Sequence, residues 1–272
     1  MMVFPIGAVE FAFKRSRLPF GSTFERSIQL MRLVGHVLGG CRVNFDAETP
    51  NERLSGAALE ELCSSGFMFS ETYQVCQPDG NEYLDILLKN YRSHKVFGLN
   101  LVMGNPHYGV RPRLNTLLEM MLSLAKQGDE KRIKVGVEGP HNGLRIIREC
   151  ARLGHTAYIL NTPQASQLIK ECNVLGVQAS VYTPVRLSKC SRQALHETLG
   201  LMADYLKRRG LSNHTPTQPA HEYVVFGSPT DVKTRLKTWF ELGVKSVVLS
   251  PVYTTLEDLE QQLRYISQLV EK

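Results

Sequence analysis

Short apolar runs alternate with longer segments of helical period along almost the whole chain. The runs at 3–13, 42–46, 67–71, 96–102, 133–137, 156–160, 177–181 and 246–250 have the length and composition of strands. Between them lie amphipathic stretches at 23–38, 52–64, 80–93, 113–127, 141–153, 164–173, 191–209, 229–242 and 255–271, with apolar positions three and four residues apart. Strands separated by helices pair in parallel through right-handed crossovers. About eight such units in roughly 250 residues is the pattern of a (β/α)8 TIM barrel. An open, doubly wound sheet is the alternative. The stretch 210–222, "GLSNHTPTQPAHE", breaks helical period with prolines and polar residues and reads as a loop. With no other break, a single barrel domain over 1–272 is expected.

A parallel barrel places its chemistry at the carboxyl ends of its strands. The polar residues there are Glu10, Asp46, Glu48, Ser70, Glu71, Asn100, Asn105, Glu138, Asn161, Thr162, Thr183 and Ser250. Strand ends are also polar because they meet solvent and cap helices, so no single member of this ring defines a site. The stretch "GVEGPHNGLRII", 136–147, is more specific. Gly136 and Gly139 permit a tight turn, and Pro140 suits the first turn of a helix. The amides of His141, Asn142 and Gly143 would then stand at the positive end of a helix dipole, where anions bind. Glu138 opposes an anion if its carboxylate points inward.

Composition narrows the classes. The formal charge is +6, with basic residues spread over helical segments and no aromatics interleaved, which argues against a nucleic-acid stripe and suits an anionic small molecule. The six cysteines lie far apart with no CxxC pair, against a zinc site or a disulfide framework and in keeping with a reducing cytoplasm. Glu10 interrupts the apolar N-terminus, and no run reaches the length of a membrane span.

Three segments resemble the luciferase-like flavin and deazaflavin oxidoreductases. "VFGSPTDVKTRLKTWFELGVKSVVLSP" is similar to their closing turn, helix and last strand. "YLDILLKNYRSHKVFGLNLVMGNPHYGVRP" resembles their third-strand region with its NP…RP signature. "IKVGVEGPHNGLRII…LGHTAYILN" resembles their GxxGP turn, helix and following strand. The methylenetetrahydromethanopterin reductase branch, which uses coenzyme F420, is closest in pattern. The resemblance implies a (β/α)8 barrel with F420 or FMN across the carboxyl face, hydride transfer to or from a small organic substrate, and a homo-oligomer. It implies that Val102, Met103, Gly104, Asn105 and Pro106 back the ring. By the same resemblance Gly136, Val137, Glu138, Gly139, Pro140 and His141 meet the cofactor phosphate. Asn161 and Thr162 join the cofactor side, and Ser70, Glu71 and Thr72 form a second-strand polar cluster. Glu10 or Glu71 would donate the proton, and His107 would touch substrate.

Only one helix separates "GNPHYGVRP" from "RIKVGV", where the family has a further strand and loop. A βα unit is therefore expected to be missing there, with residues 1–40 supplying an added one. Alternatively, "AVEFAF" is the family's own first strand and Glu10 its carboxylate. Two other functions remain open on the same barrel. The segment 142–187 also resembles the transaldolase group, with Lys134 as Schiff-base lysine, Asp46 as acid and Arg186 on phosphate. A degenerate barrel serving as a binding or assembly subunit, without catalysis, is the other.

Overall fold

A computed structural model describes residues 4–5, 8–14, 22–39, 42–46, 52–76, 81–93, 95–104, 113–126, 133–137, 140–208 and 217–271. Eight parallel strands close into a barrel: β2 (Val9–Phe13), β3 (Arg42–Asp46), β4 (Phe69–Gln74), β5 (Gly98–Val102), β6 (Ile133–Val137), β7 (Thr156–Leu160), β8 (Ala179–Leu187) and β10 (Ser246–Pro251). Closure is made where β10 pairs on one side with β2, Val247 opposite Val9, and on the other with β8, Val247 opposite Val181. All eight runs read from the sequence are barrel strands. The N-terminal unit, β2 with α1 (Thr23–Leu38), supplies the first of them. Among the described residues a single helix, α4 (Leu114–Ala125), lies between β5 and β6, so the count of eight includes that N-terminal unit.

The remaining helices are α2 (Gly56–Ser64), α3 (Asn81–Arg92), α5 (Pro140–Leu153), α6 (Ala165–Val174), α7 (Ser191–Arg208), α8 (Thr217–Tyr223), α9 (Pro229–Glu241) and α10 (Leu256–Ile266). Helix starts follow local chemistry. Ser22 and Glu25 form a reciprocal capping box on α1, and Ser228 and Asp231 form another on α9. Two features differ from the pattern-based reading. The proline-containing stretch 210–222 holds α8, because Pro219 sits in the first turn of a seven-residue helix, where its missing N–H costs nothing. Strand β8 runs on through Pro184 to Leu187, and the short β9 (Val225–Gly227) pairs with that extension. Outside the barrel, β1 (Phe4–Pro5) pairs with β11 (Val270–Glu271).

Alternation along each strand divides the side chains between two environments. Phe11, Phe45, Phe69, Leu99, Leu101, Val135, Ile159, Val181 and Leu249 face outward and pack under the helices in one continuous core. Burying each such side chain contributes about 1.5–3 kcal/mol. The alternate residues face the lumen, where Ala12, Tyr158 and Val248, with Tyr182 against them, form a separate small apolar cluster. Much of the rest of the lumen is polar, and that polarity positions the site.

Candidate functional site

The lower lumen is closed by charge. Glu10 and Lys134 each stand second in their strands, on opposite walls of the barrel. The Lys134 Nζ donates to Glu10 Oε2 at 2.6 Å. Both side chains are largely withdrawn from water, at 4% and 14% exposure. Arg42 approaches Glu10 at 3.9 Å and rests on the Phe97 ring. Ser180 and Ser246 share a hydrogen bond at 2.9 Å where β8 meets β10. This salt bridge is a strut across the barrel and lies toward the amino-terminal end, below the mouth.

Above it, three adjacent strands contribute a buried amide and hydroxyl belt. Asn100 donates to Asn44 Oδ1 at 2.8 Å, and Asn44 donates to Thr72 Oγ1 at 3.1 Å. Thr72 in turn lies 3.3 Å from Asn44 Oδ1, so the three side chains hold one another's orientation. Backbones crowd on the neighbouring strands. A Cβ on Gly136 would stand 2.9 Å from Val102 Cγ1, and Gly104, with φ of 109°, leaves no room for one against the Gln74 side chain.

At the mouth stands Asp46, the last residue of β3. Tyr182 donates to its Oδ2 at 3.4 Å from across the lumen. Burial pushes the Asp46 carboxyl above its ordinary value; Lys14 opposes the shift, Glu52 adds to it, and hydrogen bonds from Thr72 and Tyr182 oppose it. Burial thus favours the protonated form of this carboxyl at the polar mouth of the barrel. In the sequence Asp46 stood out as one of the strand-end polar residues and as the acid of the aldolase reading, while Glu52 and Tyr182 did not stand out. A carboxylate ending a strand was the available signal; burial and the cross-lumen tyrosine were not.

The other anticipated site residues are spread over several places in the fold. Gly136 lies in the lumen wall, and Val137 faces α5 within the outer core. Pro140 and His141 open α5, whose first turn carries no acidic residue. Glu71 shares the outward face of β4 with Phe69 and Tyr73, where the Tyr83 hydroxyl of α3 donates to it at 2.6 Å. Asn161 follows β7 on its outward side. Its amide donates to Thr183 Oγ1 and to the Tyr223 carbonyl, tying β7 to β8 and α8. The carbonyl of Thr162 accepts from the Ala165 amide at the start of α6. Asn105, Pro106, His107, Glu138 and Gly139 lie outside the described residues. The aldolase candidates are engaged elsewhere: Lys134 in the strut, and Arg186 with Glu197, Asp258 and the Val252 carbonyl, each at 2.8 Å. The α9 N-terminus is occupied by its own Asp231, which accepts from Ser191 and Ser228. Among the described residues no cluster of His, Cys, Asp and Glu is placed to hold a metal, and no helix is long and apolar enough to cross a membrane.

These features define a (β/α)8 barrel with a polar carboxyl mouth. No family model matches the chain, and no curated protein matches it in sequence. Solved structures do match in fold. Apo-MsnO8 aligns over 100% of both chains with a TM-score of 0.69 and 12% identity. The oxygenating constituent of 3,6-diketocamphane monooxygenase from Pseudomonas putida, solved in complex with FMN, aligns over 99% of this chain and 98% of its own, with a TM-score of 0.64 and 13% identity. The coenzyme F420-dependent tetrahydromethanopterin reductase from Methanopyrus kandleri aligns over 97% and 98%, with a TM-score of 0.62 and 11% identity. At such identities the likeness is one of fold.

Proposed function

We propose that the chain is a luciferase-like oxidoreductase that holds FMN or coenzyme F420 across the carboxyl mouth of its barrel and serves a small organic substrate. The observation that carries this reading is the polar, acid-bearing mouth of a closed barrel. End-to-end likeness to barrels solved with FMN or named for F420 supports it. Alignment over the full length also supports reading Val9–Phe13 as equivalent to the first strand of those barrels.

The residues present fit such a group. The belt of Asn44, Thr72 and Asn100 offers neutral donors and acceptors beneath the mouth, suited to a heterocycle with carbonyl and ring-nitrogen edges. The first turn of α5 is free of acidic side chains, so its outward amides are suited to a phosphate. When bound, the cofactor supplies hydride chemistry. The protein's own contribution is to orient and protonate. Asp46, whose carboxyl burial raises above its ordinary value, is the group suited to hand over a proton at the mouth. Tyr182 restrains the carboxyl from across the lumen, and Lys14 is the cation that the ionised form meets afterwards.

The test is a titration with FMN and with F420, read by cofactor fluorescence, on the wild type and on Gly139→Asp. Added charge immediately ahead of α5 in the sequence should abolish binding while leaving the unfolding transition nearly unchanged. Equal binding by the variant would remove this position from the site. Retained binding by Asp46→Asn, with turnover lost and restored by Asp46→Glu, is the result expected of the proton donor.

A further inference from the structure

The stretch Glu52–Leu54 carries the chain from β3 toward α2, and it brings Arg53 into the helix layer, outside the lumen. The guanidinium lies 5.3 Å from the Tyr73 ring of β4 and 5.4 Å from the Tyr83 ring of α3. Tyr73 and Tyr83 are both buried. Both Nε and Nη2 of Arg53 are closed off from solvent, and neither donates to an acceptor among the described residues. These two atoms form one edge of the planar fork, with N–H bonds that run parallel. That edge is matched to two oxygens of a carboxylate or phosphate.

Orphaned donors of this kind are uncommon. More than nine in ten buried polar groups have a partner, and a buried donor left without one keeps its desolvation penalty, which is larger when it is charged. Among the described carboxylates around Arg53, Glu71 accepts from the Tyr83 hydroxyl, Asp85 is exposed on α3, and Glu52 acts on Asp46. Aromatic rings contact a guanidinium by their faces and leave its in-plane hydrogens unsatisfied. The rings therefore orient the fork without replacing an acceptor.

We infer that the Arg53 fork, set between Tyr73 and Tyr83, is a binding site for a small oxyanion with two coplanar acceptor oxygens, a phosphate or a carboxylate. The site lies outside the lumen, between β4 and α3, on the outward side of the carboxyl ends of β3 and β4. An anion there fastens the β3–α2 connection to β4 and α3, so its binding stabilises the fold in proportion to its concentration.

Cofactor-free full-length protein tests this. Inorganic phosphate and formate are titrated separately at constant ionic strength set with chloride, following the thermal midpoint and the Nε–H resonances of 15N-arginine-labelled protein. The midpoint should rise saturably with at least one probe, and one arginine resonance should move with the same half-saturation. Arg53→Lys keeps the charge without the fork and should weaken binding at least tenfold. Arg53→Gln should abolish it. Phosphate alone acting, or formate alone, identifies which oxyanion the site takes. Absence of saturation with both probes in the wild type, or undiminished saturation in Arg53→Lys, overturns the proposal and leaves a buried water as the partner of the fork. The wild-type spectrum decides the matter even if a variant fails to fold.

Discussion

Replacing Lys134 by methionine tests the lumen strut. The substitution preserves length and apolar volume and deletes one charge. Glu10 would be left at 3% exposure with its 2.6 Å partner gone and, among the described residues, only Arg42 remaining, at 3.9 Å and itself 39% exposed. At an effective dielectric constant of about 20, two unit charges about 4 Å apart interact by about 4 kcal/mol. Removing one member of a buried pair typically costs about 3–5 kcal/mol, because the other charge stays desolvated. Lys134→Met should therefore lose about 3–5 kcal/mol in urea unfolding, a large share of the roughly 5–15 kcal/mol of a typical domain. Glu10→Gln should lose about 2–4 kcal/mol, since Lys134 keeps the Tyr158 ring at 5.8 Å as a weak partner. The double variant Glu10→Gln/Lys134→Met removes both charges and should lie within about 1–2 kcal/mol of the wild type. The cycle thus gives a coupling energy of several kcal/mol. Additive single and double effects, or a Lys134→Met loss under about 1 kcal/mol, would refute the reasoning that the pair is a desolvated strut.

Two further outcomes follow from the same structure. Asp46→Asn should stabilise the fold, by a margin that grows with pH. Below about pH 4 both folded and unfolded chains hold the proton, and the variant gains nothing. Above that, the unfolded chain ionises while folded Asp46 resists, so wild-type stability falls as pH rises toward the raised native value and that of the variant does not. Thermal midpoints between pH 4 and 8 check this; a margin that shrinks with rising pH would contradict it. Alkylation should discriminate the thiols sharply. Cys190 is exposed and should react first, whereas burial raises Cys172 to about 12 and Cys150 further still, so these two should react only on unfolding. Peptide mapping after timed iodoacetamide treatment gives the order.

Much of the fold was legible because outward strand faces and inward helix faces both meet one apolar core. Runs such as "IKVGV" and "TAYIL" announce strands, and the segment 23–38 gives α1 at the bounds observed. The site was less legible, for a reason of parity. A strand's alternation decides which side chains see the lumen, and a shift of one residue reverses it. Ser70, Glu71 and Thr72 read as one polar cluster. The structure sends Glu71 outward to Tyr83 and turns Thr72 inward to Asn44. Asn161 likewise ends its strand on the outward side, bonded to Thr183 and Tyr223. The Glu10–Lys134 strut joins residues 124 apart in sequence, beyond the reach of any local pattern. Asp46 became conspicuous only when burial, Glu52, Lys14 and Tyr182 converged on it.

The proposed oxidoreductase role rests on a barrel mouth able to take a flavin-type ring over a polar floor. Equilibrium titration of the purified wild-type chain with FMN and with F420, side by side and read by fluorescence, tests that most directly. Saturable binding of one cofactor, with a spectral shift that Asn100→Leu beneath the mouth diminishes, is the predicted result. Failure of both to bind, or binding indifferent to Asn100→Leu and Gly139→Asp alike, would contradict it.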